Sequence, residues 1–101
     1  MARVYIDLVG PLPLDQYQGK DVNYLLTMLD GFTKWAKAIP IGDITAEGVA
    51  GMIVEQWISR YGIPEQIHSD QGVQFTSDVF KKVMLLLGIL QTTTPVYNRV
   101  E

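Results

Sequence analysis

Eleven residues of this sequence are acidic, and two of them sit where a lone charge has little reason to be. Asp7 lies inside an apolar run, flanked by Ile6 and Leu8, and Asp70 closes another run in the stretch HSDQGVQF, residues 68–75. The nearest cationic residues along the chain are Arg60, Lys81 and Lys82, so Asp70 has no local ion-pair partner. Two carboxylates drawn together cannot both stay ionised unless a cation sits between them. Carboxylate oxygens are the ligands that Mg²⁺ and Mn²⁺ prefer. Divalent-metal binding is therefore the chemistry these residues could do. The alternative makes Asp7 an edge-strand residue and Asp70 a turn or helix-capping aspartate, and spacing alone leaves both readings open. Asp15, Asp21, Asp43, Glu55 and Asp78 fall in turns or on polar helix sides, and Asp30 in a hairpin turn.

The elements that must position this pair can be read from periodicity. RVYIDLVG alternates and is rich in β-branched and aromatic residues, which predicts a strand over about 3–9. The turn-rich GPLPLDQYQGKD stops it with two prolines. VNYLLTMLDGF and KWAKAIPI read as two further strands joined by a tight turn at Asp30–Gly31, and their apolar content on both faces implies a cover on each side. A helix follows, with Thr45 as N-cap and Glu47 in the first turn. Ala46, Val49, Ala50, Ile53, Val54, Trp57, Ile58 and Tyr61 form its apolar face, and it stops at Gly62 before Pro64. Gly48 and Gly51 each cost it about 1 kcal/mol relative to alanine. PEQIHSD reads as a short strand and QGVQFTS as a loop. A second helix starts at Thr76 or Ser77, carries Val79, Phe80, Val83, Met84 and Leu87 inward, and ends at Gly88; GILQTTTP is the last strand. The order β-β-β-α-β-α-β predicts an α/β fold: a mixed five-stranded sheet, an antiparallel meander followed by α-β-α-β, with helices on its faces.

Composition narrows the function. A chain of 101 residues, 48% hydrophobic and 19% charged, has the make-up of one globular domain. With no cysteine and one histidine, disulfides, cysteine zinc sites and His-rich metal sites are excluded. No run approaches the ~20 apolar residues that span a bilayer, and no signal-peptide core opens the chain, so no membrane partner and a reducing compartment, cytosol or nucleus, are expected. The net charge of −3 excludes a domain that holds nucleic acid by bulk positive charge. If nucleic acid is bound, a metal has to help neutralise its phosphates.

Four blocks carry a resemblance. IDLVGPLP, DGFTKWAKAIPI, RYGIPEQIHSDQGVQFTSDVF and LGILQTTTP, in that order and over nearly the whole chain, resemble the catalytic core of retroviral and gypsy-type LTR-retrotransposon integrases. The resemblance implies a ribonuclease-H-like fold. It also implies three acidic residues holding two Mg²⁺ (or Mn²⁺) ions that activate a water or a DNA 3′-hydroxyl against a phosphodiester, with Asp7, Asp70 and Glu101 as catalytic residues and metal ligands. Two ions about 3.5–4 Å apart suit in-line displacement at phosphate. It further implies DNA, both element ends and target, as partner, a dimer or tetramer of like chains, and work in the nucleus after cytoplasmic passage. Gln71, Gly72, Gln74, Tyr97 and Asn98 match positions expected to meet DNA.

The third acid departs from the family pattern. Glu101 comes six residues after Pro95, a shorter run than usual, and the sequence ends there. The expectation is a core truncated at its C-terminus, its last helices missing, and weak or inactive alone. A non-catalytic, domesticated remnant used for nucleic-acid binding or dimerisation is the alternative, and a nuclease acting on RNA–DNA hybrids ranks third. His68, Trp35 and Trp57 read mainly as packed or surface residues, with DNA contact or base stacking as their functional alternative.

Overall fold

A computed structural model describes residues 3–12, 16–17, 20–21 and 23–94 of the chain. β1 (Arg3–Val9) forms the centre of a five-stranded sheet. Its alternation buries Val4 and Ile6 on one face and leaves Arg3, Tyr5 and Asp7 exposed on the other. A small antiparallel pair, β2 (Gln16–Tyr17) and β3 (Lys20–Asp21), occupies the segment that reads in sequence as turn alone. β4 (Tyr24–Asp30) and β5 (Ala36–Ile41) complete an antiparallel meander with β1.

The link between β4 and β5 is five residues, 31–35, rather than a two-residue Asp-Gly turn. The Asp30 backbone N–H donates to the Trp35 carbonyl at 2.8 Å, and Lys34 takes the left-handed conformation, φ 66°. Asp30 holds this loop closed. Its carboxylate accepts from the Thr33 hydroxyl at 2.6 Å and from the backbone N–H groups of Phe32 and Thr33, which keep it below its ordinary pKa.

Helix α1 (Ala46–Ile53) begins as its sequence predicts: the Thr45 hydroxyl accepts from the Gly48 N–H at 3.1 Å. Asp43 steadies that cap by accepting from the Thr45 hydroxyl at 2.6 Å, which holds its own carboxyl below the usual range. Gly48 is more than a propensity cost. A Cβ there would lie 2.4 Å from the Asp43 Cγ, so the cap needs a glycine's empty space. The helix continues through a π-helical stretch, Val54–Ile58, into a last turn, α2 (Ser59–Tyr61), that ends at Gly62, φ 94°. The apolar periodicity does not reveal the π-helical stretch, and it leaves Val54 on the surface while Trp57 is buried.

β6 (Gln66–Ser69) runs parallel to β1. The segment after Asp70 forms a short helix, α3 (Val73–Thr76), where the sequence reads as a loop. Its Phe75 packs edge-on against Phe80, ring centroids 5.6 Å apart. α4 (Asp78–Leu87) starts at Ser77, whose hydroxyl accepts from the Phe80 N–H at 3.2 Å, and ends at Gly88 in the left-handed region. Phe80 and Met84 point inward as expected, but Val79 is exposed. β7 (Leu90–Thr93) adds to β6 in parallel, giving the order β5-β4-β1-β6-β7.

One core holds the layers together: Val4, Ile6, Leu26, Met28 and Ile67 from the sheet meet Val49, Ile53, Trp57, Phe80 and Met84 from the helical side. Burying each large apolar side chain contributes roughly 1.5–3 kcal/mol before entropy. All of these strand residues lie on one face. Among the described residues, the opposite face, which carries Tyr5, Asp7, Leu25, Thr27, Leu29 and His68, has no helix packed on it. The cover that apolar residues on both faces imply is thus present on one side of the described chain.

Candidate active site

The parallel register of β1 and β6 relates the two aspartates. It pairs Arg3 with Gln66, Val4 with Ile67 and Tyr5 with His68; the same offset, carried two residues past the last of these pairs, runs from Asp7 to Asp70, which follows the end of β6. Neighbouring strands lie about 4.8 Å apart. Asp7 lies on the face opposite the core, and both aspartates are exposed. On the other flank Thr27 pairs with Asp7, and its hydroxyl donates to the Asp7 carbonyl at 3.3 Å.

Each carboxylate has one oxygen fixed and one open. Oδ1 of Asp7 accepts from the Leu8 N–H at 2.9 Å, and Oδ1 of Asp70 accepts from the Gly72 N–H at 2.8 Å. The second contact is the turn that the plainer reading of Asp70 anticipates, and it engages one of the two carboxylate oxygens. Oδ2 of each accepts no hydrogen bond among the described residues. Two hard oxygen donors on adjacent strands, open toward solvent, fit a divalent cation such as Mg²⁺. They supply two of the three expected ligands: among the described residues no cluster of three or more acidic, histidine or cysteine side chains is gathered for a metal.

Gly72 is required for space rather than for an unusual backbone. Its φ of −59° is open to any residue, but a Cβ would stand 3.0 Å from the Gln74 Oε1 and 3.1 Å from the Asp70 Oδ1. Gln71, expected to reach DNA, is exposed and donates its side-chain amide to the Thr94 carbonyl at 2.9 Å. Gln74 is half-buried beside Gly72. His68 is engaged on both ring nitrogens, Nδ1 lying 2.8 Å from the Thr92 hydroxyl and Nε2 3.4 Å from that of Thr94. Trp57 is buried in the core, whereas Trp35 is exposed and donates its indole N–H to the Tyr61 hydroxyl at 3.2 Å. Tyr97, Asn98 and Glu101 lie outside the described residues.

Thr27, Thr94 and Gln91, whose amide donates to the Phe75 carbonyl, support the site from strands remote in sequence. No local spacing marks them; only the strand register does. A cavity of about 430 Å³ lined by Arg3, Tyr5, Phe32, Gln66 and Leu90 opens at the other end of β1 from Asp7.

A family model for the integrase core domain matches residues 2–99. The chain belongs to the integrase core domain family. Its relatives agree: it is 46% identical over 66 residues to the Gag-Pol polyprotein of feline leukemia virus, an alignment covering 65% of this chain and 4% of that polyprotein. It is 30% identical over 96 residues to the retrovirus-related Pol polyprotein from transposon 412 of Drosophila melanogaster, covering 95% of this chain and 8% of the relative. This integrase core domain thus spans under a tenth of the length of these polyproteins. Its fold matches a chain in the cryoEM structure of the simian T-cell lymphotropic virus intasome in complex with PP2A regulatory subunit B56 gamma, with a TM-score of 0.77 and 21% identity over 96% of this chain and 33% of that one. The mixed five-stranded sheet is therefore the ribonuclease-H-like sheet of an integrase core.

Proposed function

We propose that this integrase core domain works in DNA integration, as the metal-dependent polynucleotidyl-transferase core of a retroelement Pol protein that processes element DNA ends and joins them to target DNA. The observation that carries this reading is that Asp7 and Asp70, which the β1–β6 offset relates, are both exposed, each with a carboxylate oxygen that accepts no hydrogen bond among the described residues. Asp7, Asp70 and Glu101 are the residues that would hold Mg²⁺ or Mn²⁺. Bound metal neutralises charge at the attacking and leaving oxygens of the phosphodiester. The backbone N–H groups of Leu8 and Gly72 keep the two carboxylates aimed in the meantime. Like chains assemble around the DNA as a dimer or tetramer, and the target places the work in the nucleus.

The test is thermal unfolding of the 101-residue chain, and DNA joining by a chain extended past Glu101, each with and without metal. Tenfold excess of Mg²⁺ over its Kd stabilises the folded state by about 1.4 kcal/mol. The expected result is a Tm rise of several degrees that Asp7→Asn and Asp70→Asn each remove, together with Mn²⁺-dependent joining of a duplex oligonucleotide to plasmid DNA that both substitutions abolish. Joining that survives Asp70→Asn overturns the assignment. A Tm indifferent to metal favours the non-catalytic, domesticated remnant instead.

A further inference from the structure

The loop between β4 and β5, residues 31–35, is fixed along its whole length. Each of its backbone N–H groups has an acceptor. Gly31 donates to the Arg3 carbonyl and Lys34 to the Asp30 carbonyl, both at 2.8 Å; Phe32 and Thr33 donate to the Asp30 carboxylate, and Trp35 to the Thr33 hydroxyl. The Trp35 ring is held as well, through its indole N–H on the Tyr61 hydroxyl at 3.2 Å. What this frame presents is aromatic and cationic. Phe32 is 85% exposed and Trp35 56% exposed, with the exposed Lys34 between them. Rings left in water contribute little to folding, but rings held in place beforehand reduce the entropy lost on binding.

A second fixed cation stands on the cavity that Phe32 lines. Arg3 donates from Nε to the Gln66 side-chain oxygen at 3.0 Å and from Nη1 to the Tyr5 hydroxyl at 3.1 Å, its Cζ 5.8 Å from the centre of the Tyr5 ring. Both acceptors are neutral, and among the described residues the guanidinium has no carboxylate partner. Exposed ring faces interleaved with cations are what a single nucleic-acid strand uses: its bases stack on the rings and its phosphates meet the charges. We propose that loop 31–35 and Arg3 form a binding surface for single-stranded nucleic acid, with bases on Phe32 and Trp35 and phosphates at Lys34 and Arg3. Stacking supplies the affinity, which suits a chain whose net charge is −3. A duplex, with its bases stacked on one another, offers these rings no faces. The surface is separate from the acid pair, since Arg3 precedes Asp7 by four residues of β1, about 13 Å of strand. It goes beyond the metal-site reading and does not depend on it.

The experiment titrates the 101-residue chain with an oligothymidylate of about 15 nucleotides in EDTA, so that no metal takes part. Binding is followed by anisotropy of a fluorescein label and, with unlabelled strand, by quenching of tryptophan emission; Trp57 is buried, so quenching reports Trp35. Trp35→Ala and Phe32→Ala should each weaken binding at least about fivefold. Trp35→Phe, which keeps a ring, should stay near the parent affinity and separates stacking from folding. Arg3→Gln and Lys34→Asn should each flatten the log–log salt dependence by about 0.7, one phosphate apiece. Glu65, the acid on the same cavity, opposes phosphate there, so Glu65→Gln should tighten binding. Asp7→Asn should change none of these readouts. Absence of Trp35 quenching overturns the proposal, as does affinity that Trp35→Ala and Phe32→Ala leave unaltered, or a duplex of the same length bound as tightly. So does a Trp35→Ala variant whose only change, by sedimentation, is dissociation of a dimer, which assigns the rings to a contact between copies of the chain.

Discussion

On the proposed reading Asp70 has two duties, which its surroundings separate by atom. Its Oδ1 closes the turn to Gly72, which would leave Oδ2 for a metal ion. Gly72 makes that arrangement testable. Gly72→Ala leaves φ unstrained, and the Cβ is crowded by two side-chain oxygens, at 3.0 and 3.1 Å, one of them Asp70 Oδ1, with the Phe75 ring at 3.6 Å. Stability should change by under about 1 kcal/mol, while Mn²⁺ affinity, measured by titration, falls about tenfold as the carboxylate is pushed aside. Asp30 belongs to a different problem. Its carboxyl is held low first by the Thr33 hydroxyl and then by the Phe32 and Thr33 N–H groups. A depressed folded-state pKa stabilises the fold above the unfolded value, about 3.9, and that contribution fades as pH falls through the folded value. Denaturant unfolding should therefore show Asp30→Ala destabilised at pH 7, with the gap to the parent protein narrowing toward pH 3.

At the scale of the element, local chemistry and packing disagree in an informative way. Helix propensity alone makes Gly48→Ala stabilising by about 1 kcal/mol. The structure reverses the sign, because the new Cβ would stand 2.4 Å from Asp43 Cγ and 2.5 Å from the Asp43 carbonyl oxygen, atoms that build the Thr45 cap. A Tm lowered in Gly48→Ala and unchanged or raised in Gly51→Ala, where the Cβ meets nothing within 4 Å, would confirm it. The same contrast explains which elements were legible in the sequence. Thr45, Ser77, Gly62 and Gly88 are capping residues whose signals are local, and the structure keeps all four in those places. The helical turn at Val73–Thr76 and the π-helical stretch at Val54–Ile58 carry no such signal. One is held by Phe75 in the core and by Gln91 reaching the Phe75 carbonyl, the other by core packing of Trp57 and a Lys37 ammonium 3.2 Å from the Gln56 carbonyl.

For the whole molecule, charge sets how DNA can be held. With eight lysines and arginines against eleven acids, the chain has few cations to displace the counterions of a duplex. Binding of duplex DNA, followed by fluorescence anisotropy, should weaken only gently with salt, with a log–log slope shallower than about −3, and should strengthen when Mg²⁺ or Mn²⁺ is added. A slope nearer −6 would reveal a phosphate-contacting basic surface instead. The sequence by itself determined the order of strands and helices, their caps, the family, and the two aspartates to watch, because each of these is written in local periodicity, residue type or short motifs. The tertiary structure decided what only pairing between distant segments can: the β1–β6 register that relates Asp7 to Asp70, the packing of the helices on one sheet face among the described residues, and the bond from the Gln71 amide to the Thr94 carbonyl. Strand register is fixed by the summed burial of Val4, Ile6, Leu26 and Ile67 against the helices, and no single stretch of sequence contains that sum.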